Sequence, residues 1–428
     1  MLKPMKYLYL LALCCALPFT SCAAATESET VVVKKVKPGI EVLRDRGFEE
    51  LKGMRVGLVT NPSGVDSQLK STIDILHEAP EVNLVALYGP EHGVRGDAYA
   101  GDKVTDFVDP KTGLPVYSLY GATRKPTPEM LEGIDVMVYD IQDVGVRSYT
   151  YISTLGLVME ACGAKGIKVV VLDRPNPLGG NKIEGCYVEQ PYYSFVSQYK
   201  IPYVYGLTVG EFANLINEEG LNRGQKGNQE PARCELTVIP MEGWTRDMVY
   251  EDTGLPWVLP SPNIPFKETP MYYAAAGLCG ELYGYMNIGI GYTLPFQVFG
   301  NTWIDPNKLQ AKLESYNLPG VSFRTIYFKP FSGSQAKQLV KGVQYFFTDY
   351  EKARITETQF YVMQAVTELY PDKRAFEIVS GVGLLNKVCG TDYVKNEFGK
   401  RYKVADILEY WRKDEESFRA LSQKYHLY

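Results

Sequence analysis

The chain has 428 residues, 45% of them apolar and 22% charged. That is an ordinary globular composition, too long for one compact core, so about two domains are expected. A net charge of −5 and a pI near 5.6, with no long lysine or arginine run, argue against nucleic acid or another polyanion as partner.

At the N-terminus Lys3 and Lys6 precede the apolar run YLYLLALCCALPFT, and then SCAAATESE follows. This is the positive, apolar, small-residue order of a secretory signal, and the run is too short for a comfortable membrane span. FTSC, ending in Cys22, resembles a bacterial lipoprotein box with Phe19 where leucine is more usual. The expectation is a signal peptide over 1–22, a lipidated Cys22 and a flexible tether over 23–36. The product would be exported, periplasmic or at the cell surface, and would meet the membrane through the lipid anchor only. A plain cleaved signal peptide is the alternative. The remaining cysteines, Cys162, Cys186, Cys234, Cys279 and Cys389, are scattered, odd in number and lack a CxxC, so neither a disulfide framework nor a zinc cage is indicated.

From Met54 a βα rhythm sets in. MRVGLVT has strand length and meets the turn NPSGVD, which begins with Asn61. QLKSTIDILHEA has helical spacing, with Leu69, Ile73 and Leu76 on one face. The strand NLVALYG runs straight into GPEHGVRGD, where His92, one of three histidines in the chain, stands beside Glu91, and Arg95 and Asp97 follow. In YGATRKPTPEML the basic pair Arg124-Lys125 precedes a short helix that Thr127 can cap, with Pro128 at its first position. DVMVYDIQDVG is a third strand, with Arg147 and Tyr149 close behind it and a helix over YISTLGLVMEACGAKG. KVVVLDRPNP is a fourth strand.

Strands that are apolar throughout and alternate with helices imply a parallel sheet covered on both faces, with ligands off the carboxyl ends of its strands. Those ends carry Asn61, then Glu91 and His92, then Asp140, Gln142 and Asp143, and finally Asp173, Arg174 and Asn176. Their convergence on one edge points to a binding or catalytic site. From residue 206 the pattern changes to mixed helices and strands: EFANLINEEG, CELTVIPM, DPNKLQAKLESYN, VSFRTIYFKP, GVQYFFTD and TETQFYVMQAVTELY, and a last helix from about 404. Two domains are expected, 37–205 with the parallel sheet and 206–428 as a smaller α+β unit. The proline-rich WVLPSPNIPFKETP, which contains Asn263, and KIPYVYG, which contains Tyr203, read as rigid cleft walls.

No GxGxxG follows the first strand, and no Walker motif, GxSxG or HExxH occurs, so no nucleotide cofactor is implied. Glu91-His92 could ligate a metal, but His77 and His426 are not placed to join it. Asp97, Asp140 and Asp143 could hold magnesium, though nothing demands it. The competing use is acid catalysis of glycosidic cleavage, in which one carboxyl group protonates the leaving oxygen and a second acts from the other side. Glu91 suits the first role, His92 can orient it, and Asp97, Asp102, Asp140 and Asp143 are the candidates for the second.

LVTNPSG, LYGPEHGVRGD, TGLPVYSLYG, DIQDVGVRSYTYISTL, DRPNPLGG, YGLTVGE and PSPNIP, in this order, resemble the NamZ-type exo-β-N-acetylmuramidases. The likeness runs from about residue 38 to 428. It implies a Rossmann-like N-terminal domain plus a smaller α/β domain, with the active site between them. It also implies release of N-acetylmuramic acid from the non-reducing end of peptidoglycan fragments, without a nucleotide cofactor. The family's favoured catalytic acid maps to Glu91, and His92, Asn61 and the DIQDVG carboxylates match its cleft residues. The lactyl carboxylate of muramic acid would give Arg124, Arg147 or Arg174 an anion to bind, an inference from charge alone. One segment departs: where many members carry EGRGTTRPFE, this chain reads IGIGYTLPFQ, with Ile288, Ile290 and Leu294 in place of charged residues. An apolar cleft wall is expected there, which leaves a glycan-binding lipoprotein without catalysis as the alternative function.

Overall fold

The computed structural model describes residues 35–96, 106–221, 233–379 and 382–428. The expected signal peptide, Cys22, most of the tether, Asp97 and Asp102 lie outside the described residues. Val36, the last residue of the expected tether, is already part of the fold: it is buried against Met241 and Trp244 and its N–H donates to the Thr253 carbonyl.

The larger sheet has seven strands: β1 (Arg55–Thr60), β2 (Asn83–Gly89), β3 (Phe107–Val108), β4 (Pro115–Ser118), β5 (Val136–Asp140), β6 (Lys168–Leu172) and β7 (Leu236–Ile239). Their order is β3-β4-β2-β1-β5-β6-β7, and every pairing is parallel except the short β3 on β4. Alternate residues of the central strands feed two apolar layers. Val56, Leu58, Val136, Val138 and Val170 pack with Leu43 of α1 (Gly39–Asp45) and Ile73 of α2 (Thr72–Glu78). Val59, Met137, Tyr139, Val169 and Val171 pack with Leu155 of α3 (Tyr151–Gly163) and Phe212 of α4 (Val209–Glu219). This is the doubly covered parallel sheet that continuous apolar strands require.

Two expectations change. Leu69 does not belong to α2: it is exposed, with a left-handed φ of 67°, and α2 begins only after Ser71, whose hydroxyl accepts from the Asp74 N–H. Residues 206–239 do not start the second domain. Thr208 and Glu211 form a capping box on α4, which packs on the large sheet, and CELTVIPM supplies β7 as its edge strand beside β6.

The second part begins at α5 (Thr269–Gly280) and contains a three-stranded antiparallel sheet of β8 (Val298–Asn301), β9 (Val321–Phe328) and β10 (Val340–Phe347), in the order β8-β10-β9. α6 (Pro306–Glu314), capped by Asp305, and α7 (Thr358–Leu369) pack with it. The expected last helix is split into Leu408–Arg412 and Glu415–Ser422. Trp411 stays in the second core, whereas Phe418 and Tyr425 return to the first.

Candidate active site

The carboxyl ends of the large sheet bring the expected residues to one edge but use them very differently. β2 ends at Gly89, and the chain turns at once: the Gly93 N–H donates to the Pro90 carbonyl, and Gly93 and Gly96 have φ near 74° and 76°. A side chain at Gly96 would strike Pro62 of the NPSG turn, so this loop folds tightly against the end of β1. His92 is buried and also left-handed, at φ 75°, a conformation that costs a non-glycine residue roughly 1–2 kcal/mol. Glu91 stays partly exposed. Its Oε2 accepts from the Thr150 hydroxyl at 2.9 Å, and the Tyr120 hydroxyl also bonds to it. Thr150 stands at the N-cap of α3, but its side chain makes no cap bond to the helix; its hydroxyl serves Glu91 instead.

Around Glu91 lies a set of hydroxyls. Tyr149 packs edge-on against Tyr151 and Tyr273, with ring centroids 4.9 and 5.7 Å apart. Ser148 Oγ lies 2.9 Å from the Tyr273 hydroxyl and 3.3 Å from that of Tyr203. Tyr273 is within electrostatic reach of Glu281, Glu91 and Asp143. The exposed Arg124 lies over the rings of Phe195 (4.2 Å) and Tyr120 (5.5 Å), which sets a guanidinium beside a tyrosine that touches Glu91. Lys125 instead pairs with Glu160.

Most other predicted residues are committed to the protein itself. Asp140 is fully buried: Arg174 donates to it through Nε at 2.5 Å and Nη2 at 2.9 Å, and Thr72 donates to its Oδ2. Arg174 spends its remaining reach on the Val65 carbonyl, so this pair closes the sheet edge and offers no free carboxylate or guanidinium. Arg147 is completely buried and donates to the carbonyls of Cys186, Ile201, Val388 and Cys389 at 2.6–3.0 Å, so it clamps the interior and is not placed to meet a substrate anion. Arg95 is bidentate on the buried Asp109. Asp173 accepts from the Arg174 and Gly210 N–H groups and from the Thr208 and Tyr428 hydroxyls. Asn61 ties β1 to the Pro260 carbonyl, Gln142 donates to the Asp143 and Pro175 carbonyls, and Asn176 bridges Leu207 and Leu178. The Tyr151 hydroxyl also donates to Pro260, so the proline-rich wall is pinned to the site's floor, with Asn263 partly exposed on it.

Asp143 keeps one oxygen in play. Its Oδ2 accepts from the Gly145 N–H and the Tyr205 hydroxyl, while Oδ1 is buried without a partner among the described residues, and burial pushes the carboxyl up to about 6. Among the described residues no three His, Cys, Asp and Glu side chains gather as a metal-binding group.

The expected apolar cleft wall is interior only at Ile288, while Ile290 and Leu294 stay partly exposed. Ile288 is buried in the second core, where a side chain at Gly280 would meet its Cδ1 at 2.6 Å, and Leu294 packs with Val298 and Phe328. Gly289 and Gly291 turn with φ of 91° and 79°, and the latter has no room for a side chain beside the Ser332 carbonyl. Sequence reading missed Tyr120, Ser148, Thr150, Tyr203, Tyr273 and Glu281; of these, Tyr120, Ser148, Thr150 and Tyr203 sat in segments it had singled out.

Comparison with known proteins addresses the same architecture. Models for the N-terminal and C-terminal parts of exo-beta-N-acetylmuramidase NamZ match residues 56–268 and 271–428, dividing the chain where the structure does, just before α5. The peptidoglycan beta-N-acetylmuramidase NamZ of Bacillus subtilis (strain 168) is 43% identical over 411 residues, 96% of either chain. Two crystal structures of DUF1343 family proteins from Bacteroides fragilis NCTC 9343 superpose with TM-scores of 0.86 and 0.72, at 52% and 30% identity, each covering 92% of this chain and 99% of the other. With both halves matched and the glutamate of its GPEHG loop set among hydroxyls at the sheet edge, this chain belongs to the exo-β-N-acetylmuramidase NamZ family.

Proposed function

We propose that this protein is an exo-acting glycoside hydrolase that releases N-acetylmuramic acid from the non-reducing end of peptidoglycan fragments, with Glu91 as proton donor to the leaving oxygen. The observation that carries the reading is Glu91 itself: a partly exposed carboxyl at the end of a buried parallel strand, surrounded by hydroxyls suited to a sugar. His92 shapes the turn that presents it. Arg124, over Tyr120 and Phe195, is the cation best placed for the lactyl carboxylate, since Arg147 and Arg174 are consumed by internal partners. Ile288, one of the three aliphatic replacements that motivate a binding-only role, packs in the second core, away from any cleft. The run from Lys3 to Cys22 supports export and lipid anchoring; labelled palmitate should enter the wild type in cells and not Cys22→Ser.

The test of activity compares aryl β-glycosides of N-acetylmuramic acid and of N-acetylglucosamine. Aglycone release is expected from the first and at least tenfold less from the second, which lacks the carboxylate. Tight binding of a muramyl disaccharide with no product after prolonged incubation would overturn the hydrolase reading.

A further inference from the structure

Glycosidic cleavage by acid and base needs a second carboxyl group, and Asp140 is sealed in its pair with Arg174. Another carboxyl approaches the same hydroxyls from α5. Tyr273, Gly277 and Glu281 are spaced four residues apart and share one face of that helix and its C-cap. A helical side chain leans back over the preceding turn, so Glu281 covers the Gly277 position. Gly277 leaves room there for the Tyr203 hydroxyl, which would lie 3.0 Å from any added Cβ, and for the Tyr273 ring at 3.4 Å. Ser148 touches both tyrosines, and two residues on, Thr150 holds Glu91. Both Glu91 and Glu281 act electrostatically on the Tyr273 hydroxyl, which places the two carboxyls on either side of it.

Glu281 breaks local rules. It stands at the C-terminal end of α5, where the helix dipole opposes negative charge. It is only partly exposed, and among the described residues no cation or hydrogen-bond donor answers its carboxylate. Burial pushes its carboxyl up to about 7. A carboxylate so placed takes up a proton readily, which is what a base requires, and misfits of this kind collect at functional sites.

We infer that Glu281 is the second carboxyl of the site, acting as base opposite Glu91. This rests on the glycosidase reading above. Glu281 removes a proton from water as the water oxygen bonds to the anomeric carbon. The anomeric C–O bond breaks, its electron pair stays on the leaving oxygen, and that oxygen takes the proton of Glu91. The products are free sugar and alcohol, with no co-reactant but water.

The test is chemical rescue on an aryl β-glycoside of N-acetylmuramic acid. Glu281→Ala is expected to lose about 10²–10⁴-fold in kcat while its melting temperature is not lowered, since it gives up no partner among the described residues. Sodium azide should restore turnover at least tenfold and yield the α-glycosyl azide, a product that a merely structural residue would not give. If Glu281→Ala melts early, the isosteric Glu281→Gln must show the same loss. Undiminished turnover in either folded variant, or a loss that azide does not rescue, overturns the assignment. A wild type that leaves the glycoside intact overturns the glycosidase reading together with this one, whereas an active wild type with an unimpaired variant removes only the role of Glu281.

Discussion

The ends of β5 and β6 and the end of β2 lie on one edge of one sheet and carry similar residues, yet they do opposite things. At β5 and β6, Asp140 and Asp173 are buried and answered in full: one by a bidentate arginine and a threonine, the other by two backbone N–H groups and two hydroxyls. At β2, Glu91 is partly exposed and held by hydroxyl groups that a sugar could replace or join. The first region spends its charges on holding the edge shut, and the second keeps a carboxyl available because its neighbours do not neutralise it. A polar residue at a strand end is therefore a candidate for chemistry only when the fold leaves part of it unanswered.

The contrast is sharpest if each region is damaged in turn. Glu91→Gln should lower kcat about 10²–10⁴-fold on a muramic acid glycoside with the melting temperature unchanged. Arg174→Met should do the reverse. It strands the buried Asp140 charge, and unfolding by denaturant should show a loss of about 3–5 kcal/mol, of which an added Asp140→Leu recovers part. A milder effect is expected at the rim, where Arg124→Met removes the proposed lactyl contact: KM for the muramic acid glycoside should rise about tenfold, consistent with the ~1.5–3 kcal/mol of a charge-assisted hydrogen bond, and KM for a lactyl-free analogue should not move. The smallest effect belongs to Asp143. Its folded carboxyl is raised to about 6, above the ordinary carboxylate range, so the folded state holds the proton more tightly than the unfolded chain. The stability it contributes is full below the unfolded value and is lost as pH rises through about 6. Asp143→Asn should flatten the fall in melting temperature between pH 4 and 7, and an unchanged slope would assign that fall to other groups.

The parallel strands were legible because burial on both faces leaves a continuous apolar run, as in MRVGLVT and KVVVLD. β7 was misassigned because more than sixty residues of loop and helix separate it from β6, and nothing local records which sheet an edge strand joins. α5 went unread because TPMYYAAAGLCG is apolar nearly all round and has no polar face to set a period. Glu91 could be found because a strand, a glycine turn and a histidine frame it. The partners of Asp140 and Asp173 could not: Arg174 follows Asp173 by one residue but turns to a carboxylate thirty-four residues away, and Tyr428 arrives from the last position of the chain. Glu281 escaped for a related reason, since its meaning lies in having no partner among the described residues, which no sequence displays.

The Arg147 clamp carries a mechanical consequence. One guanidinium joins the segment after β5 to carbonyls at Cys186, Ile201, Val388 and Cys389, and a side chain at Gly390 would sit 3.0 Å from its Nη2. Prising these segments apart would strip a charged group of four acceptors in one stroke. The segments that Arg147 ties together therefore behave as a fixed jig rather than a jaw.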